Sequence, residues 1–267
     1  MPMRYTLVSL DSYDKVNLTI MKKILIPIDL SGASENAIDF VSDVFGDIRA
    51  DLHLIHVKEE NEKLDDIKTA FTALENNKLI PTGVKYNFEI FPGNLLDEIQ
   101  TTINTEMPDL LVMGTRGASG SKLSKALIKL SNCPVMLIPD NYHETKIKRI
   151  AYANDFKDIK DSTVLKPLLE LSQAMKAKVY LLHINRDNNV QDHAEASLEY
   201  YLDYVNHEYV CITSEDIEQA IMDFIREKKI DLLTVLLRDH GSNNLSSEGR
   251  LVKDLVRHSN VPVLNLV

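Results

Sequence analysis

The sequence predicts an α/β protein built from two tandem doubly wound, mainly parallel five-stranded sheets. Three observations carry that expectation. Short apolar runs recur without polar alternation, the pattern of strands covered on both faces. Segments of helical period separate them, which gives βαβ units. The second half of the chain also repeats the first in order. KKILIPID at 22–29 resembles KRIAYAND at 148–155, and HLIHV at 53–57 resembles YLLHI at 180–184. PDLLVMGTR at 108–116 resembles IDLLTVLLR at 230–238, and CPVMLI at 133–138 resembles VPVLNL at 261–266. Asp29 and Asp155 lie 126 positions apart, His56 and His183 127, Asp109 and Asp231 122, Pro134 and Pro262 128. Four ordered matches at nearly one spacing read as a tandem duplication.

Residues 1–20, MPMRYTLVSLDSYDKVNLTI, do not make a signal peptide, because Asp11, Asp14 and Lys15 break the apolar core that one needs. They are read as a peripheral arm, with an edge strand or an upstream start codon as alternatives. The first domain is expected over 21–140 and the second over 146–267. The boundary falls in PDNYHETK at 139–146, which offers little to bury. In the first half the strand candidates are ILIPI, DLHLIHV, KYNFEIF, DLLVMG and PVMLIP. A helix over 33–45 places Ala37, Ile38, Val41 and Phe45 on one face. Ser31 is its expected N-cap and Ser34 the second choice. Residues 94–105 bring Leu95, Ile99 and Ile103 together, and 121–131 bring Leu123, Ala126, Leu127 and Leu130 together. The second half is expected to hold helices over 161–176, 215–228 and 247–258. The runs at 58–66 and 186–189 read as solvated loops or helix starts.

Composition narrows the classes of function. Of 267 residues 44% are hydrophobic and 26% charged, as in ordinary globular proteins. No run of eighteen apolar residues suggests a transmembrane helix. Thirty Lys+Arg against forty Asp+Glu give a formal charge of −10, which argues against nucleic-acid and membrane-surface partners. Two cysteines build neither a disulfide scaffold nor a zinc site and suit a reducing cytosol, so a cytoplasmic location is expected. Cys133 and Cys211 both read as packed thiols.

Two features could carry chemistry. Asp29 ends the first strand, where a carboxylate either accepts bonds from a sugar hydroxyl or a base amine, or caps the following helix. Gly114-Thr115-Arg116-Gly117-Ala118-Ser119-Gly120-Ser121 follows the strand LLVM and precedes a helix. Glycines let backbone amides approach an anion, and a helix N-terminus adds its positive end. The same loop could simply turn the chain. It is not a P-loop, since no Gly-Lys-Ser/Thr closes it.

ILIPIDLSGASENAIDFV, the HV that ends the second strand, LLVMGTRGASGS and CPVMLIP together resemble the universal stress protein family. The resemblance covers nearly the whole chain after Met21, as a tandem form. It implies a Rossmann-like fold of the adenine-nucleotide-binding kind. It also implies ATP or another adenine nucleotide as ligand, with Mg2+ accompanying it. Carried over residue by residue, Pro27, Ile28 and Asp29 match the adenosine end, and Val57 matches the residue whose backbone contacts the base. Met113, Gly114, Arg116 and Gly117 match the start of the phosphate loop. The family pattern then runs Gly, two residues, Gly, nine residues, Gly, Ser/Thr. Here Leu127 and Ile128 stand at the last two positions, and the nearest Gly-Ser is Gly120-Ser121. Asp109 to Pro134 spans 25 positions and Asp231 to Pro262 spans 31, so the first copy is six residues shorter in this segment.

The second copy keeps a carboxylate at Asp155 but replaces the loop glycines with Leu236 and Asp239. It is therefore expected to be structural, or to bind something other than a nucleotide. His56 and His183 occupy equivalent penultimate strand positions and read as partly buried histidines bonded to backbone. No His-x-x-x-His or Glu-x-x-His spacing suggests a metal site. A slow ATPase would need a water-activating group, which the sequence does not single out. The function expected is regulatory binding in a stress response, with a nucleotide-independent interaction protein as the alternative. The resemblance also implies pairing through the last strand of each half, CPVMLIP with VPVLNLV, as an internal pseudo-dimer. Further association into a homodimer stays open.

Overall fold

The structure, a computed structural model, describes residues 21–46, 50–115, 132–154, 159, 161–186, 202, 204–236 and 247–267. The arm at 1–20, the helix expected over 121–131, Asp155 and Asp239 lie outside the described residues.

Ten strands alternate with helices. In the first half these are β1 (Lys23–Pro27), α1 (Gly32–Phe45), β2 (Asp51–Lys58), α2 (Leu64–Leu74), β3 (Lys85–Pro92), α3 (Leu95–Glu106), β4 (Leu110–Thr115) and β5 (Val135–Pro139). The second half holds β6 (Arg149–Ala153), a 3-10 turn (Ser162–Leu165) running into α4 (Lys166–Ala174), β7 (Lys178–Asn185) and β8 (His207–Thr213). α5 (Ile217–Lys228), β9 (Leu232–Leu236), α6 (Ser247–His258) and β10 (Val263–Leu266) follow. The strands expected from apolar runs all form, within a residue or so at each end. Ser31 is the N-cap of α1, and its backbone N–H donates to Ser34 Oγ at 3.1 Å. Ala37, Ile38, Val41 and Phe45 are buried, as their spacing requires.

All ten strands join one sheet in the order β3-β2-β1-β4-β5-β10-β9-β6-β7-β8. Every neighbouring pair is parallel except β5 with β10, which is antiparallel. Each half has its first strand in the middle, so right-handed crossovers run in both directions from it and lay helices on both faces. The expectation of two five-stranded sheets becomes one continuous sheet, because the end strands of the two halves complete each other's ladders.

The duplication extends to side-chain devices. Asp109 Oδ2 accepts the Lys22 and Lys23 N–H groups at 2.8 and 3.0 Å. Asp231 Oδ2 accepts the Lys148 and Arg149 N–H groups, both at 2.8 Å. Each aspartate pins the start of its half's central strand from the turn before a neighbouring strand. α3 and α5 are both capped by a short polar side chain, Asn94 and Asp216, and both end in a left-handed residue, Met107 and Lys229. A left-handed C-cap frees the chain to turn sharply into the next strand.

The helix start left open in the run at 58–66 is realised, and two expectations need correction. Residues 64–82 are helical: α2 continues through a π-helical turn (Glu75–Leu79) and a last turn (Ile80–Thr82) that stops at Gly83, φ +67. Its core side chains Ile67, Phe71, Leu74 and Leu79 are buried, and Phe71 stacks on Phe88 of β3 at 3.7 Å between ring centroids. The connection at 139–146 is also packed down. Asn36 Nδ2 donates to the Pro139 and Tyr142 carbonyls at 2.9 and 3.1 Å, and Tyr142, 7% exposed, donates its hydroxyl to the Asp231 carbonyl at 3.1 Å. Finally, Cys211 is exposed, because it points to the solvent side of the outermost strand β8, whereas Cys133 is buried.

Candidate functional site

Of the sequence-predicted residues, the described ones, Pro27, Ile28, Asp29, Val57, Met113 and Gly114, lie at the carboxyl ends of β1, β2 and β4. β1 lies between β2 and β4, so its end is where the strand order reverses and where open α/β sheets bind ligands. The ladder between β1 and β2 runs on to Pro27↔Ile55, while that between β1 and β4 consists of Ile24↔Leu110 and Leu25↔Leu111. The two central strands thus stop pairing before their ends. Pro27 and Ile28 are buried, Asp29 is exposed, and Val57 is half-buried.

Asp29 holds the turn into α1. Its Oδ1 accepts the Ser31 N–H at 3.1 Å and the Ser31 hydroxyl at 2.5 Å. This supports Leu30, whose φ of +56 is unusual for a β-carbon-bearing residue. Asp29 is therefore not the N-cap itself; it fixes the residue that is. Asp29 itself is exposed at the carboxyl end of β1.

Gly114 has a structural task that sequence reasoning missed. A Cβ there would meet the Ala33 carbonyl oxygen at 2.0 Å and the Ala33 carbonyl carbon at 2.5 Å. The absent side chain lets the first turn of α1 lie directly against β4. Met113 is buried just before it. Arg116, Gly117, Gly120 and Ser121, the rest of the expected phosphate loop, lie outside the described residues.

His56 behaves as expected of a histidine bonded to backbone. Its Nδ1 donates to the Ile28 carbonyl at 2.9 Å, and its Nε2 faces Glu62 Oε2 at 3.1 Å. Glu62 also accepts the Glu59 N–H at 2.8 Å. That bond, helped by His56, holds the Glu62 carboxyl below the usual carboxylate range. The segment after β2 is thus latched to the strand end beside Val57, a role the acidic run at 58–66 does not announce. In the second half His183 Nδ1 bonds the Asn154 carbonyl at 3.1 Å, the same contact at the same place. Among the described residues no group of three His, Cys, Asp or Glu is arranged to hold a metal ion, and no helix is long and apolar enough to cross a membrane.

Comparison with known proteins agrees with this architecture. Residues 21–139 match the model of the universal stress protein family. A universal stress protein from Archaeoglobus fulgidus superposes with a TM-score of 0.71 at 18% identity, covering 91% of this chain and 97% of that one. A putative universal stress protein from Pseudomonas aeruginosa gives 0.67 at 12% identity, covering 93% and 94%. The cytoplasmic domain of a prokaryotic cation chloride cotransporter gives 0.53 at 12% identity, covering 92% and 95%. Comparison with curated proteins gives no match. At these identities the superpositions show the fold alone, a shared α/β scaffold spanning both halves. Residues 21–139 are thus similar to the universal stress protein family, and the second half repeats the strand order of that domain.

Proposed function

We propose that the chain is a regulatory stress-response protein that binds an adenine nucleotide, ATP first, at the carboxyl ends of β1, β2 and β4 in its first half. The carrying observation is the convergence of Asp29, Val57 and Gly114 at the switch point of a domain similar to the universal stress protein family. In this reading Asp29 takes the adenosine end and the Val57 backbone contacts the base. Gly114, Arg116 and Gly117, with Gly120 and Ser121, face the phosphates. Mg2+ would accompany the phosphates rather than occupy a protein cage. The domain limits proposed are 21–140 and 146–267, with a cytoplasmic location.

Titration calorimetry with ATP and Mg2+ tests the reading. The expected result is one site per chain, weakened at least tenfold by Asp29→Asn. That variant keeps an oxygen for the Ser31 contacts while removing the charge. No heat of binding at millimolar ATP overturns the proposal. It would favour the second reading, a nucleotide-independent interaction protein, which the six-residue shortening between Asp109 and Pro134 supports.

A further inference from the structure

The second half contains a cavity of about 730 Å3 at the carboxyl ends of β6, β7 and β9. It occupies the place that corresponds to the nucleotide site proposed for the first half. Ala153, Asn154, Ile184, Val235 and Leu236 line it, and they are the counterparts of Pro27, Ile28, Val57, Met113 and Gly114. We propose that this cavity binds a small amphiphile with an aliphatic body and an uncharged or cationic head, at a site separate from any nucleotide.

The chemistry of the walls selects that class. Leu182, Ile221, Leu251 and Leu255 join Ile184 and Leu236 in an aliphatic lining. The volume lies within the range that suits drug-sized ligands. The space opens to solvent, and an apolar body lying against its aliphatic wall would remove that surface from water. Leu236 places an aliphatic side chain where Gly114 has none, and it adds to this lining.

The charged part of the described lining is mainly acidic. Glu215, Asp216 and Glu218 contribute three carboxylates, Glu218 paired with His258, against Arg186 and the His183 ring. The N-terminus of α5 opens onto the cavity and would ordinarily attract a negative group. Here Asp216 Oδ1 already accepts the Gln219 N–H at 2.9 Å, and Glu218 sits in the first turn. Glu218 is itself anchored to His258 Nδ1 of α6 at 2.5 Å, so its carboxylate stays at the wall.

The test uses the full chain and the neutral fluorophore N-phenyl-1-naphthylamine. One molecule is expected to bind per chain with enhanced emission. Octyltrimethylammonium should displace it at least tenfold more effectively than octyl sulfate, both below micellar concentration. Millimolar ATP should leave it bound, so failure of the nucleotide reading and failure of this one are read separately. Leu236→Trp, which fills the space, should weaken binding at least tenfold with the circular dichroism unchanged. If that variant does not fold, hydrogen exchange on the unaltered chain with saturating octyltrimethylammonium serves instead. Protection is expected at 215–225 and 232–236. Absence of probe binding, displacement by ATP, preference for the sulfate, or protection confined to the first half overturns the proposal.

Discussion

Met136 and Leu264 occupy the same place in the two halves, and they are also each other's partners across the junction. Val263 opposite Leu137 and Asn265 opposite Val135 flank them symmetrically. This is the self-complementary contact of a two-fold dimer, realised within one chain. Asn265 breaks the chemical symmetry: it replaces the equivalent of Leu137, it is 1% exposed, and neither side-chain polar atom has a hydrogen-bond partner among the described residues.

Asn265→Leu should therefore stabilise the protein by about 1–2 kcal/mol, the usual cost of a buried unpaired polar group. Thermal unfolding followed by circular dichroism reads this as a rise in midpoint. A fall would mean that the amide has a partner after all.

Gly114→Ala should destabilise, because its Cβ would collide with the Ala33 backbone rather than with a movable side chain. Overpacking of this kind costs about 1–3 kcal/mol. Urea denaturation should show a lower midpoint with the slope unchanged. The same contact makes Gly114→Val unsuitable as a probe of phosphate binding, since it would displace α1 as well.

Asp109→Ala and Asp231→Ala should destabilise by similar amounts, about 2 kcal/mol each, by stranding two backbone N–H groups apiece. Similar losses in urea titrations would show that the duplicated device works equally in both halves. A silent Asp231→Ala would show that the second half has other means of holding β6.

Glu170 of α4 is 5% exposed, and burial raises its carboxyl above the ordinary value, while Lys166 at 3.6 Å pulls the other way. The nearby Asp109 also raises it, across the boundary between the halves. A raised value means that the folded protein prefers the neutral acid. The associated stability is complete below the unfolded carboxyl range and is lost as pH rises through the folded value. Glu170→Gln should thus gain stability over the wild type as pH rises from 4 towards 7, with little difference at pH 4. Equal differences at both pH values would refute this.

Cys211 should react with a maleimide in the native state, while Cys133 should react only on unfolding. Burial pushes the Cys133 thiol up to about 12, and its Sγ donates to the Pro108 carbonyl at 3.3 Å. Mass spectrometry of the labelled protein distinguishes the two sites.

The sheet was legible because ILIPI, LHLIHV and VMLIP are too apolar to face water on either side, and because each recurs at one spacing. α2 was harder to see. Ile67, Phe71 and Leu74 have helical spacing, but they sit among Asp65, Asp66 and Lys68, and the π-helical turn shifts the period before Leu79. The burial of Tyr142 in a polar connection depends on Asn36 and Asp231, which lie far away in sequence. At the candidate site the residue types were readable and their packing was not. Neither the clearance between Gly114 and Ala33 nor the cavity beside Leu236 exists until helices are laid on the sheet.

In a dimer of identical subunits any substitution is inherited by both copies at once, so a glycine needed on one side cannot be abandoned on the other. Joining the halves in a single gene lifts that constraint. Leu236 at the position equivalent to Gly114 is what such freedom looks like: one half keeps its tight turn against the helix while the other carries a bulky side chain there.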